Sequence, residues 1–205
     1  VFVVIDLPEP ADDILSAALD EFIAKGFDAA RIEDVAKSAG LSKGAVYLYF
    51  PSKEALLRAL IEREIAPLVY MVAAAAEAQL DDPVGALRLA LVTIATRLRE
   101  ARLFAIPRLV IAISGRFPEI TRHYRSVVVS PGRALVARLI ERGIALGQFR
   151  AVDPDAAARA VIGPLMFEAL WTHVLEGETA LDARHIALAD RLGIGLRQRH
   201  DVAER

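Results

Sequence analysis

Two lysines of the chain directly follow residues that can cap the start of a helix. Ser42 precedes Lys43, and Ser52 precedes Lys53; serine is among the preferred residues at a helix N-cap. A cation at the positive end of a helix dipole is unfavourably placed, whereas a phosphate bound there accepts hydrogen bonds from the lysine and from free backbone N–H groups. The spacing therefore predicts an anion-binding surface between two helix starts.

The residues between these lysines suit contact with a nucleic acid. Gly44, in the first turn of the predicted helix, costs about 0.5–1 kcal/mol relative to alanine, but it lets another surface, such as base edges, approach the backbone. Tyr47 and Tyr49 lie off the apolar face of that helix, so their hydroxyls can reach phosphate oxygens. No acidic residue occurs from Val35 through Lys53, which predicts a locally positive surface.

Two short helices must position these side chains. Residues 32–53 read IEDVAKSAGLSKGAVYLYFPSK, with Gly40 at the turn between the helices. An amphipathic helix precedes them and ends at Gly26; its apolar stripe is Ile14, Leu15, Ala18, Leu19, Phe22 and Ile23. The residues expected to pack the pair against it are Val35, Leu41, Val46 and Phe50. Core packing alone explains these apolar positions, but it explains the polar and glycine positions less well.

The rest of the chain continues in the same helical pattern. Apolar residues keep helical spacing throughout and hairpin dipeptides are absent, which predicts an all-α protein. Turn residues, among them Ser130-Pro131-Gly132, divide it into about nine or ten helices. One helix starts near Lys53 and runs for about 25 residues, with a mild interruption at Pro67. We predict a three-helix domain with a helix-turn-helix over residues 1–52, followed by a larger helical domain over residues 53–205.

Composition limits the classes of function. The formal net charge of −2 provides no global attraction to nucleic acid, so such binding must come from a local surface. The apolar content of 55% is high, which predicts an oligomer interface or an apolar pocket. The longest uncharged stretch, Ile65 to Ala76, falls short of the roughly 18 apolar residues of a membrane span. With no cysteine in the chain, we expect a cytoplasmic protein without a membrane partner.

Four stretches of the N-terminal region resemble the DNA-binding domain of the TetR family almost position by position. They are Gly26-Phe27, residues 32–36, residues 39–50 and residues 52–57, the last of which includes the Ser-Lys-Glu step after Phe50. The resemblance implies base contacts by Ser42, Lys43, Gly44 and Ala45. It also implies phosphate contacts by Tyr47, Tyr49 and Lys53.

The sequence departs from the TetR pattern at several positions. Ala30 and Arg31 stand where a threonine or serine usually caps the first helix of the motif, and we expect Arg31 to contact phosphate instead. Ala45 replaces the commoner threonine, which removes a hydroxyl from base recognition but leaves a methyl group suited to thymine. Leu48 offers only apolar contact.

The resemblance further implies a homodimer in which the last two long helices of each subunit form a four-helix bundle. Small and apolar residues form one stripe of the helix after Asp153; they are Ala156, Ala160, Gly163 and Phe167. Leu181 to Leu196 supplies the apolar stripe of the second helix. A packing face within one subunit is the alternative interpretation of both stripes.

Residues 102–124 are similar to the AefR-like subgroup of TetR C-terminal domains. Large apolar residues with a few polar ones could line a pocket for a largely apolar small-molecule effector; the candidates are Phe104, Arg108, Ile111, Phe117, His123, Met166 and Trp171. Each of these residues could instead belong to an ordinary core.

The resemblance implies a sequence-specific DNA-binding transcriptional regulator, a repressor that a small-molecule effector releases from a roughly palindromic operator. The alternative is a helical ligand-binding or interaction protein whose DNA-binding motif has decayed. An enzyme is disfavoured because the four histidines form no H-E-x-x-H pattern and phosphate-binding glycine loops are absent. We therefore expect no catalytic residues, no metal site and no cofactor.

Overall fold

The structure, a computed structural model, describes residues 9–79 and 81–175. These residues form helices and no β-strand, which confirms the all-α prediction. The α-helices are α1 (Glu9–Ala29), α2 (Ile32–Ser38), α3 (Lys43–Tyr49), α4 (Lys53–Leu60), α5 (Ala66–Glu77), α6 (Pro83–Leu98), α7 (Ala101–Ile113), α8 (Pro118–Tyr124), α9 (Ser130–Ala145) and α10 (Pro154–Leu170). Three π-helical turns, Ile61–Ile65, Arg125–Val129 and Trp171–Leu175, complete the described helical segments.

A first compact unit comprises residues 9–68 and Ala105–Val129. Its core forms around the predicted stripe of α1, where Ile14, Leu15 and Phe22 are fully buried. The range of α1 contains a kink at Gly26, whose φ of 75° and ψ of 166° are not helical, so the regular helix ends there as predicted and a short separate turn runs on to Ala29. Glycine adopts such a backbone without strain, and the last turn of α1 then buries Phe27 against Phe22, with ring centroids 5.4 Å apart.

The helix-turn-helix consists of α2 and α3, joined through Gly40 with φ 68°. Val35 of α2, Val46 of α3 and Phe50 directly after α3 are buried as predicted; Val46 and Phe50, four residues apart, lie on one face. Leu41 is half-buried. The outer face of α3 is thereby left to its polar, small and aromatic residues.

The predicted long helix from Lys53 is confirmed, since helical residues follow one another from Lys53 to Glu77. Pro67 lacks the N–H that an α-helix needs, and the π-turn Ile61–Ile65 lies just before it. The backbone N–H of Ala66 there donates to the carbonyl of Ile61, five residues earlier. This change of hydrogen-bond register carries the helix past the proline.

The predicted break at Ser130-Pro131-Gly132 is wrong. Helix α8, the π-turn Arg125–Val129 and helix α9 follow one another without an intervening loop. Pro131 is the second residue of α9 but lies inside this continuous helical run, so its missing N–H leaves a gap in the main-chain hydrogen bonding, as at Pro67. Here too a π-turn directly precedes the proline.

A second compact unit comprises the described residues of Val69–Phe104 and residues 130–175. Helices α6, α9 and α10 pack together around Leu91, Leu139 and Leu165. Gly143 of α9 lies against the buried ring of Phe149, and a β-carbon on Gly143 would overlap that ring. The first unit includes more of the chain than residues 1–52, so the boundary between DNA-binding and effector domains stays a prediction.

None of the helices described is both long and apolar enough to cross a membrane.

Candidate nucleic-acid interface

Both predicted serine caps are present. The Ser42 hydroxyl accepts a hydrogen bond from the backbone N–H of Ala45 at 3.1 Å, and the Ser52 hydroxyl accepts one from Ala55 at 3.2 Å. Arg31 occupies the N-cap of α2 without a capping side-chain hydrogen bond, in line with the missing serine or threonine. The sequence alone therefore identified how the helices of the motif begin.

The predicted DNA-contacting residues of α3 lie on its exposed side. Lys43 and Gly44 are exposed and Ala45 is half-buried, while Tyr47 and Tyr49 are 43% and 42% exposed. An open depression of about 510 Å³ lies beside α3. Four predicted or capping residues are among those lining it, namely Arg31, Tyr47, Ser52 and Lys53. Polar side chains from the starts of α2 and α4 and from α3 thus meet at one surface.

Lys53 has partners that the sequence did not reveal. Its ammonium group donates to the backbone carbonyls of Phe27, Asp28 and Ala30 at 2.7, 2.9 and 2.9 Å, which uses all three of its hydrogens. Its Nζ also lies 5.1 Å from the centroid of the Phe27 ring. The unfavourable placement of Lys53 at a helix start, from which an anion site was predicted, is thus already compensated by carbonyl groups at and just after the end of α1. A phosphate contact by Lys53 stays a prediction, and it would have to compete with these bonds.

Lys43 is also compensated within the chain. Its Nζ forms an ion pair with Glu33 Oε1 of α2 and lies 5.8 Å from the centroid of the Tyr47 ring. The hydrogen bond with Glu33 raises the pKa of Lys43, and the hydrogen bond with Lys43 lowers the pKa of Glu33 from its ordinary value of 4.5. The stretch without acidic residues begins at Val35 and therefore excludes Glu33. The sequence thus predicted a positive surface without accounting for this carboxylate. The charge of Lys43 is held beside a carboxylate on the expected DNA face.

Replacing Glu33 with glutamine should tighten DNA binding by about two- to fivefold, because it removes a negative charge near the phosphates and frees Lys43. Log K should also fall more steeply with log salt, by about one additional phosphate contact. Since the pKa of Glu33 is lowered, its charge is lost only when the pH falls below 4.5. Titration from pH 8 to 6 should therefore not reproduce the substitution. Fluorescence anisotropy with a labelled duplex measures both quantities.

Asp34→Asn is the matched control for Glu33→Gln. It removes the same charge from the neighbouring residue, which pairs with Lys25 at 3.0 Å and not with Lys43. If the two substitutions change the salt dependence of DNA binding equally, the change comes from net charge alone. Lys43 then makes no additional phosphate contact in Glu33→Gln.

Comparison with known proteins assigns the two parts of the chain. Residues 14–60 match the model of bacterial regulatory proteins of the tetR family, and residues 85–191 match that of the AefR-like transcriptional repressor C-terminal domain. The chain belongs to the TetR family. Both the N-terminal resemblance and the AefR-like resemblance of the C-terminal part are thereby confirmed.

Individual relatives agree with this assignment. The HTH-type transcriptional regulator RutR of Escherichia coli is 51% identical over 59 residues, which are 27% of this chain and 28% of RutR. The chain thus matches less than a third of the length of this relative. SmeT, the repressor of a Stenotrophomonas maltophilia multidrug efflux pump, has a TM-score of 0.75 at 25% identity, covering 93% of this chain and 91% of SmeT. PfmR of Thermus thermophilus has a TM-score of 0.68 at 28% identity, covering 90% and 99%.

The predicted effector residues of this TetR-family chain are divided between its two units. In the first unit, Arg108 and Phe117 are half-buried and Ile111 is exposed. His123 is half-buried there, with its Nε2 3.1 Å from Glu62 Oε1. In the second unit, Phe104 is buried and stacks on His173 with centroids 5.0 Å apart, Met166 is half-buried and Trp171 is exposed. An effector pocket built from these residues stays a prediction.

The predicted dimer stripe is exposed on α10. Its residues Ala156, Ala160, Gly163 and Phe167 are all exposed, whereas the opposite face of the helix buries Ala158, Val161 and Leu165. The stripe is thus accessible in the described part of the chain, and its role as a dimer interface stays a prediction. The second predicted dimer segment, Leu181 to Leu196, lies outside the described residues.

Proposed function

We propose that the chain is a homodimeric, sequence-specific DNA-binding transcriptional regulator that represses its targets until a small-molecule effector releases it. The observation that carries the proposal is the helix-turn-helix of a TetR-family chain whose α3 is capped by Ser42, packed through Val46 and exposed on its outer face. Insertion of such a helix into the major groove is the usual use of this motif.

The decayed-motif alternative has less support. The cap at Ser42, the left-handed Gly40 and the buried Val35 and Val46 keep the motif intact. Lys43 and Lys53 each have partners within the chain, which weakens the argument from charge, but the side chains of Tyr47 and Tyr49 remain exposed. The geometry of the motif, more than its charge, therefore supports DNA binding.

Homodimer formation through the exposed stripe of α10 would place two reading helices on one duplex. A two-fold symmetric dimer presents the same surface twice, so the operator should be roughly palindromic, with half-sites about one helical turn or a multiple apart. A largely apolar effector would act by favouring one separation of the two helices. We propose a cytoplasmic location and no enzymatic role for such a regulator.

Selection from a random duplex library tests the proposal. The full-length chain should enrich a roughly palindromic sequence, and its binding should weaken steeply with salt. Failure to enrich any sequence, with a folded protein, would favour the decayed-motif alternative. Turnover of a small molecule would instead support an enzyme.

A further inference from the structure

Helix α3 lacks the residues that usually recognise bases by paired hydrogen bonds. Its sequence is KGAVYLY, with no arginine, asparagine or glutamine; besides lysine, these are the side chains that pair bidentately with guanine or adenine in the major groove. Its one cation, Lys43, is engaged with Glu33. Recognition of bases by this helix must therefore depend largely on apolar contact.

Leu48 is placed to make such contact. It is 86% exposed, more than any other large hydrophobic residue in the described part of the chain. Val46 of the same helix is fully buried, and because successive residues turn by about 100°, Leu48 points to the opposite side. Ala45 and Gly44 precede Leu48 by three and four residues, so they lie beside it on the outer face. Together Gly44, Ala45 and Leu48 form a continuous apolar strip on α3.

We propose that this strip, and Leu48 above all, selects thymine by contact with its 5-methyl group in the major groove. Of the four bases, only thymine presents a methyl group there. Gly44 allows the helix backbone to approach the bases closely, which brings the strip within reach of the methyl group. The inference rests on the proposed DNA-binding function and adds the base type that the chain recognises.

Substitution of deoxyuridine for thymine provides the test. Deoxyuridine pairs with adenine as thymine does and lacks only the 5-methyl group. In the duplex recovered by selection, each thymine of a half-site is replaced in turn, and binding is measured by anisotropy. At one or two positions the affinity of the unmodified chain should fall by about three- to fivefold, the loss associated with one buried methyl group.

Two variants assign this effect to Leu48. Leu48→Ala should bind the thymine duplex more weakly and should lose the sensitivity to deoxyuridine at those positions. Leu48→Met, which keeps an apolar side chain of similar size, should retain it. Because Leu48 is exposed, thermal unfolding should be the same for all three proteins.

The outcomes separate the inference from the proposed function. A selected duplex without thymine in its half-sites, or one whose binding is indifferent to deoxyuridine, would overturn thymine recognition while leaving DNA binding intact. Thymine recognition by Leu48 is also overturned if Leu48→Ala loses as much affinity as the unmodified chain when deoxyuridine replaces thymine. If no sequence is enriched, the proposed function fails and the inference falls with it.

Discussion

Replacing Lys53 with methionine should lower the free energy of unfolding by about 2–4 kcal/mol, since it removes three charge-assisted hydrogen bonds and leaves carbonyl groups without a donor. The carbonyls are those of Phe27, Asp28 and Ala30, and the bonds to Phe27 and Ala30 are partly buried. Methionine keeps most of the aliphatic stem against the Phe27 ring, so the loss reports on the ammonium group. Urea unfolding followed by circular dichroism measures the change.

Lys37→Met is the control for this substitution. Lys37 is an exposed lysine on α2, and surface changes of this kind usually alter stability by less than about 0.5 kcal/mol. If Lys53→Met proves as stable as the unmodified chain and only binds DNA more weakly, the structural role is refuted. A loss of stability, together with a slope of log K for DNA binding against log salt that is smaller by about one, would show two roles. Lys53 would then both join α4 to α1 and contact phosphate.

Replacing Phe167 with glutamate should dissociate the proposed homodimer. Operator binding should then weaken by about 100-fold or more, because a monomer binds one half-site alone, without a second, linked DNA-binding domain to raise its effective concentration at the other half-site. Phe167 is 55% exposed, and its ring centroid lies 5.8 Å from that of Trp171. In a two-fold interface a glutamate at this position would be buried without a partner of opposite charge, near its own symmetry mate. Sedimentation velocity over a range of concentrations measures the dissociation.

Leu146→Glu serves as the matched control for Phe167→Glu. Leu146 is 42% exposed, follows α9 and is not part of the stripe on α10, so the same charge is added without changing a residue of the proposed interface. Leu146→Glu should remain dimeric with unchanged operator affinity. A Phe167→Glu protein that remains a dimer would place the interface elsewhere on the chain.

Short-range features of the fold were predictable because they depend on residues close together in the chain. Helical spacing identified the buried faces around Val35 and Val46, and the positions of Ser42 and Ser52 identified two helix starts. The break at Pro131 was predicted wrongly because a proline either interrupts a helix or is accommodated within it, depending on the hydrogen-bond register of the preceding turn. The π-turn Arg125–Val129 sets that register, and the sequence carries no simple signal for it.

Lys43 and Lys53, the two lysines that first suggested an anion site, show which contacts the sequence could not predict. The sequence by itself determined that Lys43 and Lys53 begin helices on a TetR-type motif, because capping is a local property. Only the tertiary structure decided what compensates their charge, since Glu33 lies ten residues before Lys43 and the carbonyls that Lys53 contacts lie 23 to 26 residues before it. Such partners are brought together by the packing of α1 with α4 and of α2 with α3, and ammonium groups bind whichever acceptors the fold places within reach.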